Sequence, residues 1–118
     1  MPDLASLPGI KRAQLQGRQV LYDDGQHLVI LDGTILAFTP VEYTLLLRLL
    51  KRAGEPVSFQ RLLGVSAQQP LSRSMRHSLK QRMSHLRPRL WPFGLDILCL
   101  HEYGYLLLAH PSAQAAER

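Results

Sequence analysis

The residues best placed to do chemistry lie between Ser72 and Leu90, in the run S-R-S-M-R-H-S-L-K-Q-R-M-S-H-L-R-P-R-L. It holds Arg73, Arg76, Lys80, Arg82, Arg87 and Arg89, with His77 and His85 and no acid. Cations gathered without a carboxylate make a partner for a polyanion. Met75, Leu79, Met83, Leu86 and Leu90 are spaced 4, 4, 3 and 4 apart. At about 100° per residue they fall within an arc of roughly 80°, the apolar stripe of a helix. The same count puts Arg73, His77, Lys80, Gln81 and Ser84 on the opposite side and the other arginines on the flanks. A merely solvated helix would mix Glu with Lys to gain i,i+4 pairs. A helix docked by its stripe and basic on its far side suits the major groove of a duplex.

Roles follow from side-chain type. Arg73, Arg76, Lys80 and Arg87 are candidate phosphate clamps, because each neutralised phosphate releases counterions. Gln81, Ser84 and His85 are candidates for base edges. Gln pairs with adenine N6 and N7, and Ser or His reaches acceptors. Gln81 and Ser84 point outward, while His85 lies to one side. Other chemistries lack their residues. His77 and His85 are eight apart, more than two helical turns, and there is no HxxxH, HExxH or cysteine pair, so no metal is expected. No nucleophile–base–acid set and no Gly-rich phosphate loop occurs, so neither an enzyme nor a cofactor is expected.

The 118 residues make one domain, and 46% apolar residues supply its core. Net charge is +5, and from Val57 to Leu95 there are seven Lys/Arg and no Asp or Glu, so the positive excess is local. Single Cys99 excludes an internal disulfide, and its apolar surroundings predict a buried, inert thiol. No apolar run approaches the ~18 residues of a membrane span, and the N-terminus has no signal pattern. A cytoplasmic protein without membrane contact is expected.

The elements that must position the basic helix read as follows. Residues 1–14 are expected to be a flexible arm, 15–109 the folded domain and 110–118 a flexible tail. Gln19–Tyr22, His27–Leu31 and Thr34–Ala37 are β-prone runs separated by Asp23-Asp24-Gly25 and Asp32-Gly33. Asp-Gly between apolar runs is a hairpin signal, since type I′ turns need positive φ. A small antiparallel sheet of three or four strands is predicted. Thr39 as cap, Pro40 at N1 and Glu42 closing a capping box open a first helix, with Gly54 as its C′ residue. Ser58 caps a short second helix to about Leu63, closed by Gly64; residues 65–71 are a polar loop. Pro88 should kink or end the last turn of the basic helix. Leu95–Leu100 and Tyr105–Leu108 form a final hairpin around His101-Glu102-Tyr103-Gly104, where Gly104 is expected in the turn. His101 and Tyr103 at its tip are candidate minor-groove contacts. A short helix before a longer basic one is the helix-turn-helix order, and a hairpin directly after it is a wing.

Three stretches carry a resemblance to a known family. L-A-F-T-P-V-E-Y-T-L-L (Leu36–Leu46) resembles the L-T-P-x-E-[FY]-x-L-L block of the DNA-binding effector domain of OmpR/PhoB-type bacterial response regulators. G-E-P-V-S-F-Q-R-L-L (Gly54–Leu63) resembles its G-x-x-V-S-x-x-x-L-L, and L-C-L-H-E-Y-G-Y-L-L (Leu98–Leu107) its wing. L-R-P-R-L (Leu86–Leu90) matches its L-R-x-K-L close of the reading helix. The likeness covers residues 15–109. It implies an α+β winged helix-turn-helix: an N-terminal antiparallel sheet, three helices and a C-terminal hairpin wing. It also implies binding of double-stranded DNA, often as a homodimer on repeated half-sites, and a loop at 65–71 able to touch RNA polymerase. The 118 residues leave no room for the family's receiver domain, so a stand-alone effector is expected.

The expectation is a transcriptional regulator with helix 72–90 in the major groove and wing 95–108 at the minor groove. Ser84 and His85 stand where the family often has Arg. The wing Arg aligns with His101, and the Gly after it with Glu102. These positions keep open an alternative, a protein-interaction adaptor for a receiver domain or RNA polymerase.

Overall fold

The computed structural model describes residues 8–109. Four strands come first: β1 (Lys11–Leu15), β2 (Arg18–Asp23), β3 (Leu28–Leu31) and β4 (Thr34–Ala37). They pair as an antiparallel sheet in sequence order. Alternation places Leu15, Val20, Tyr22, Val29 and Leu31 on the core side. β1 corrects the expected arm: residues 11–14 pair with Gln19–Tyr22, from Lys11 opposite Tyr22 to Gln14 opposite Gln19. Its polar-rich run hid it, because β1 contributes only Ala13 and Leu15 to the core. The remaining residues of the expected arm and tail, 1–7 and 110–118, lie outside the described residues.

The turns separate by chemistry. Asp32 and Gly33, at φ 51° and 80°, form the two-residue hairpin turn predicted. Gln16 and Gly17, at φ 47° and 87°, form another, which was not predicted because Gln seldom takes positive φ. The Asp24-Gly25 signal instead lies in a four-residue loop between Asp23 and Leu28. There the Asp23 carboxylate accepts from the Gly25 N–H at 2.9 Å, and His27 takes the positive φ of 56°.

Helix α1 (Pro40–Leu50) begins with the predicted capping box, Thr39 Oγ1 accepting from Glu42 N and Glu42 Oε1 from Thr39 N, both at 3.2 Å. It ends before Gly54, which closes a turn at φ 81° and donates to Leu107 O at 2.8 Å. The short strand β5 (Val57–Ser58) leads into α2 (Phe59–Leu63), capped by Ser58 and ended by left-handed Gly64. Helix α3 (Arg73–Leu90) continues through Pro88 and ends two residues later, so the chain stays helical at the proline itself. Pro88 is exposed, and fully buried Leu86 and Leu90 hold the turn around it. A 3-10 turn at Trp91–Phe93 leads to β6 (Leu95–Leu100) and β7 (Gly104–Ala109), which form a second sheet in the order β5-β7-β6. Gly104 is the first residue of β7, beyond the turn in which it was expected.

Tyr43 of α1 donates to Asp24 at 2.7 Å, and Lys11 pairs with the same carboxylate at 2.6 Å. The Lys11 hydrogen bond, then that of Tyr43, holds the Asp24 carboxyl below its usual range. Burial, then the bond to Asp24, pushes the Tyr43 phenol well above its own. A depressed carboxylate stabilises the fold above its unfolded pKa and loses that contribution as pH falls through the folded value. Asp24→Asn is thus expected to lower the urea midpoint at pH 7, with the gap to the parent closing below about pH 4. A gap constant with pH would contradict the arrangement.

At Gly104 a Cβ would sit 1.8 Å from Val57 O, against backbone rather than a yielding side chain. Gly104→Ala should therefore force β7 away from β5 at a cost of about 3 kcal/mol, read as a lowered thermal midpoint.

Candidate nucleic-acid interface

Helix α3 starts at Ser72, whose hydroxyl accepts from Met75 N at 3.1 Å. Leu79, Met83, Leu86 and Leu90 are buried as their spacing requires, and Met75 is half-buried at the edge of the stripe. Two arginines then brace the helix on opposite flanks. Arg89 donates to Ala37 O at 2.7 Å and lies 4.3 Å over the Phe38 ring, tying α3 to the end of the first sheet. Arg87 Nε donates to Asp96 Oδ1 at 3.1 Å, tying α3 to β6. Asp96 is the one buried charged residue among those described, and the same oxygen accepts from Ile97 N at 2.8 Å. Arg87, a candidate clamp, is therefore committed to an internal carboxylate, although 54% of its side chain remains exposed.

Arg73, Arg76 and Lys80 are exposed and have no hydrogen-bond or ion-pair partner among the described residues. Gln81 and His85 are exposed on the same terms. Ser84 is exposed, but its hydroxyl donates to Lys80 O at 3.0 Å. Its proton is used, so Ser84 offers its lone pairs and acts as an acceptor. At about 100° per residue, His77, Gln81, Ser84 and Pro88 form the strip facing directly away from the buried stripe. His77 and Pro88 were not among the candidate readers, although the same wheel count finds them.

Trp91 was not found from sequence. It follows the last residue of the helical pattern and reads as part of a turn. In the fold it is 46% exposed and borders a shallow depression with Ser84, Arg87, Pro88 and Asp96. Only the unbroken passage of α3 through Pro88 brings the indole to the end of the basic face.

The hairpin tip is a three-residue loop, with Leu100 opposite Gly104. His101 is exposed, its Nε2 3.6 Å from Glu102 Oε1, and Glu102 adopts φ 61°. Tyr103 joins the tip to α2, its carbonyl accepting from Phe59 N at 2.9 Å, while its side chain is exposed at the rim of a depression with Arg52 and Pro56. Cys99 corrects the expectation of a buried thiol: it is exposed. Strand alternation puts it on the face of Leu95 and Ile97, but β6 has by then run past the core. Burial, then the neighbouring Cys99, pushes the Tyr105 phenol up to about 12. No three His, Cys, Asp or Glu among the described residues gather as a metal set.

Solved structures with this arrangement exist. The DNA-binding domain of CpxR from E. coli superposes with a TM-score of 0.66 and 24% identity, covering 84% of this chain and 97% of that one. The fold is a winged helix. The DNA-binding domain of E. coli CadC gives 0.59 and 20% over 87% and 94% of the two chains. The C-terminal effector domain of BfmR from Acinetobacter baumannii gives 0.56 and 26% over 84% and 91%. No family model and no curated protein sequence matches the chain. The motif resemblance to OmpR/PhoB-type effector domains thus extends to the fold of this winged helix, with α3 as its third helix and β6–β7 as the wing.

The Arg87–Asp96 contact sets α3 against the wing. Asp96→Ala should cost about 1–3 kcal/mol in chemical denaturation, because it removes a charge-assisted bond and leaves the Ile97 N–H without its acceptor. Arg73→Ala, which removes an exposed cation without a partner, should stay within about 0.5 kcal/mol of the parent. Equal effects would show that the pair does not brace the fold.

Proposed function

We propose that this winged helix binds double-stranded DNA as a transcriptional regulator, with α3 in the major groove and the β6–β7 wing at the adjoining minor groove. One observation carries the reading: Arg73 and Lys80 stand exposed and unpartnered on the side that bears Gln81, with exposed, unpartnered Arg76 on the flank, on a helix whose opposite face is buried. The CpxR and CadC structures are of DNA-binding domains with the same fold, which supports it. Arg73, Arg76 and Lys80 hold phosphates, and Arg87 joins them with whatever its Asp96 contact leaves free. Gln81 reads an adenine edge, Ser84 accepts from a base amine, and His85 reads from the side. His101 and Tyr103 approach the minor groove. A homodimer on repeated half-sites and contact of loop 65–71 with RNA polymerase belong to the same reading. There Gln60 Nε2 donates to Gln69 O at 3.2 Å and ties the loop to α2.

A protein-interaction role for the same scaffold is favoured by one observation, Glu102 at the wing tip beside His101, where an acid opposes a phosphate. The two readings part in a fluorescence anisotropy titration of duplex DNA. Three phosphate clamps predict a log–log salt slope near roughly −3, and Lys80→Ala should reduce it by about 1. Gln81→Ala with Ser84→Ala should cost about 1–3 kcal/mol on a preferred sequence and little on random duplex. Absence of duplex binding at low salt, or binding indifferent to salt, would remove the DNA reading and leave the adaptor.

A further inference from the structure

One arginine of the basic helix is absorbed neither by DNA reading nor by bracing. Arg82 lies on the flank of α3, about 60° from the centre of its buried stripe, and so faces sideways. It is exposed and has no hydrogen-bond or ion-pair partner among the described residues. It forms one rim of an open cavity of about 310 Å³ lined by all three helices.

The wall from α1 is Pro40, Val41, Thr44 and Leu45, that from α2 is Leu62 and Leu63, and that from α3 is Ser78 and Leu79. Val41 is 48% exposed, an apolar side chain left open at the mouth. The second cation in the lining, Arg48, is held in place. Its Nη1 donates to Leu62 O at 2.6 Å, and its guanidinium fills the space beside Gly64, where an added Cβ would come within 3.2 Å of it. No Asp or Glu lines the cavity. Ligand pockets begin near about 300 Å³ and are mostly apolar with a few fixed polar groups, so the size and lining suit one small molecule.

We propose that this cavity binds a small amphiphilic carboxylate, its apolar body against Val41, Leu45, Leu63 and Leu79 and its carboxylate on Arg82, with Arg48 alongside. The carboxylate follows from the charge: two guanidiniums with no acid between them favour an anion, and Arg prefers the planar carboxylate fork. The short apolar floor calls for a short chain or a single ring. A ligand here would touch Ser78, Leu79 and Arg82 of α3 away from the strip of His77, Gln81 and Ser84, so binding does not depend on the DNA reading.

The test is amide-resolved NMR titration of the whole chain with octanoate, with 1-octanol as the uncharged match. Octanoate should give saturable shifts confined to residues 40–48, 62–64 and 78–82, with half-saturation below about 10 mM. Octanol should bind roughly tenfold more weakly, as should octanoate to Arg82→Gln, the loss expected for one charge-assisted contact. Val41→Asp, a change at an exposed position that keeps the core, should weaken octanoate by a similar factor. Shifts scattered over the surface, failure to saturate, or octanol equal to octanoate would overturn the proposal. The amide spectrum of each variant reports folding, so a variant that unfolds cannot pass for one that loses the ligand.

Discussion

Burial of one stripe on α3 governs the rest of the molecule. The helix has eighteen residues, and only Leu79, Met83, Leu86 and Leu90 are fully buried. Each contributes about 2 kcal/mol by leaving water, and no other face of the helix could supply such a term. The stripe therefore fixes the rotation of α3, and every cation takes its place as a consequence. First-turn acids, which would favour the helix electrostatically, are absent. Ser72 supplies the cap instead, and Arg87 and Arg89 lie in the last turn where positive charge is favourable.

The fold divides six chemically similar cations into three kinds. Arg87 and Arg89 become braces, because each comes within reach of a fixed acceptor, one a carboxylate on β6 and the other a carbonyl at the end of β4. Arg82 turns to the cavity between the helices. Arg73 and Lys80 remain without partners on the open side, and Arg76 on its flank. The braces also locate the wing. Asp96 holds β6 to α3, Gly104 lets β7 lie against β5, and Tyr103 joins the tip to α2 through its carbonyl. Helix α3 and the wing are thus joined by contacts between residues distant in sequence.

Much of the architecture was legible because short-range chemistry announces it. The Thr39–Glu42 capping box, the Ser58 and Ser72 caps, left-handed Gly64 and the Asp32-Gly33 turn each involve residues no more than four apart. The misreadings share a cause. β1 carries polar residues on its open face and is a strand only because β2 pairs with it. Pro88 should end a helix by local rules, yet the burial of Leu86 and Leu90 outweighs them. Cys99 sits in an apolar run, but β6 carries it beyond the core.

By itself the sequence determined the order of the helices and the wing hairpin, the helix starts and the rotation of α3, because periodicity and capping are properties of neighbouring residues. It also determined that the basic run has an open side bearing Gln81 and Ser84. Tertiary structure alone decided which cations stay available. Arg87 is held by Asp96, nine residues away, and Arg89 by Ala37, fifty-two away. It likewise decided that Trp91 comes to lie beside Ser84 and Pro88 and that Arg82 opens onto a cavity between three helices. Such outcomes depend on which donor meets which acceptor once the chain is packed, and hydrophobic spacing along one helix carries no record of that.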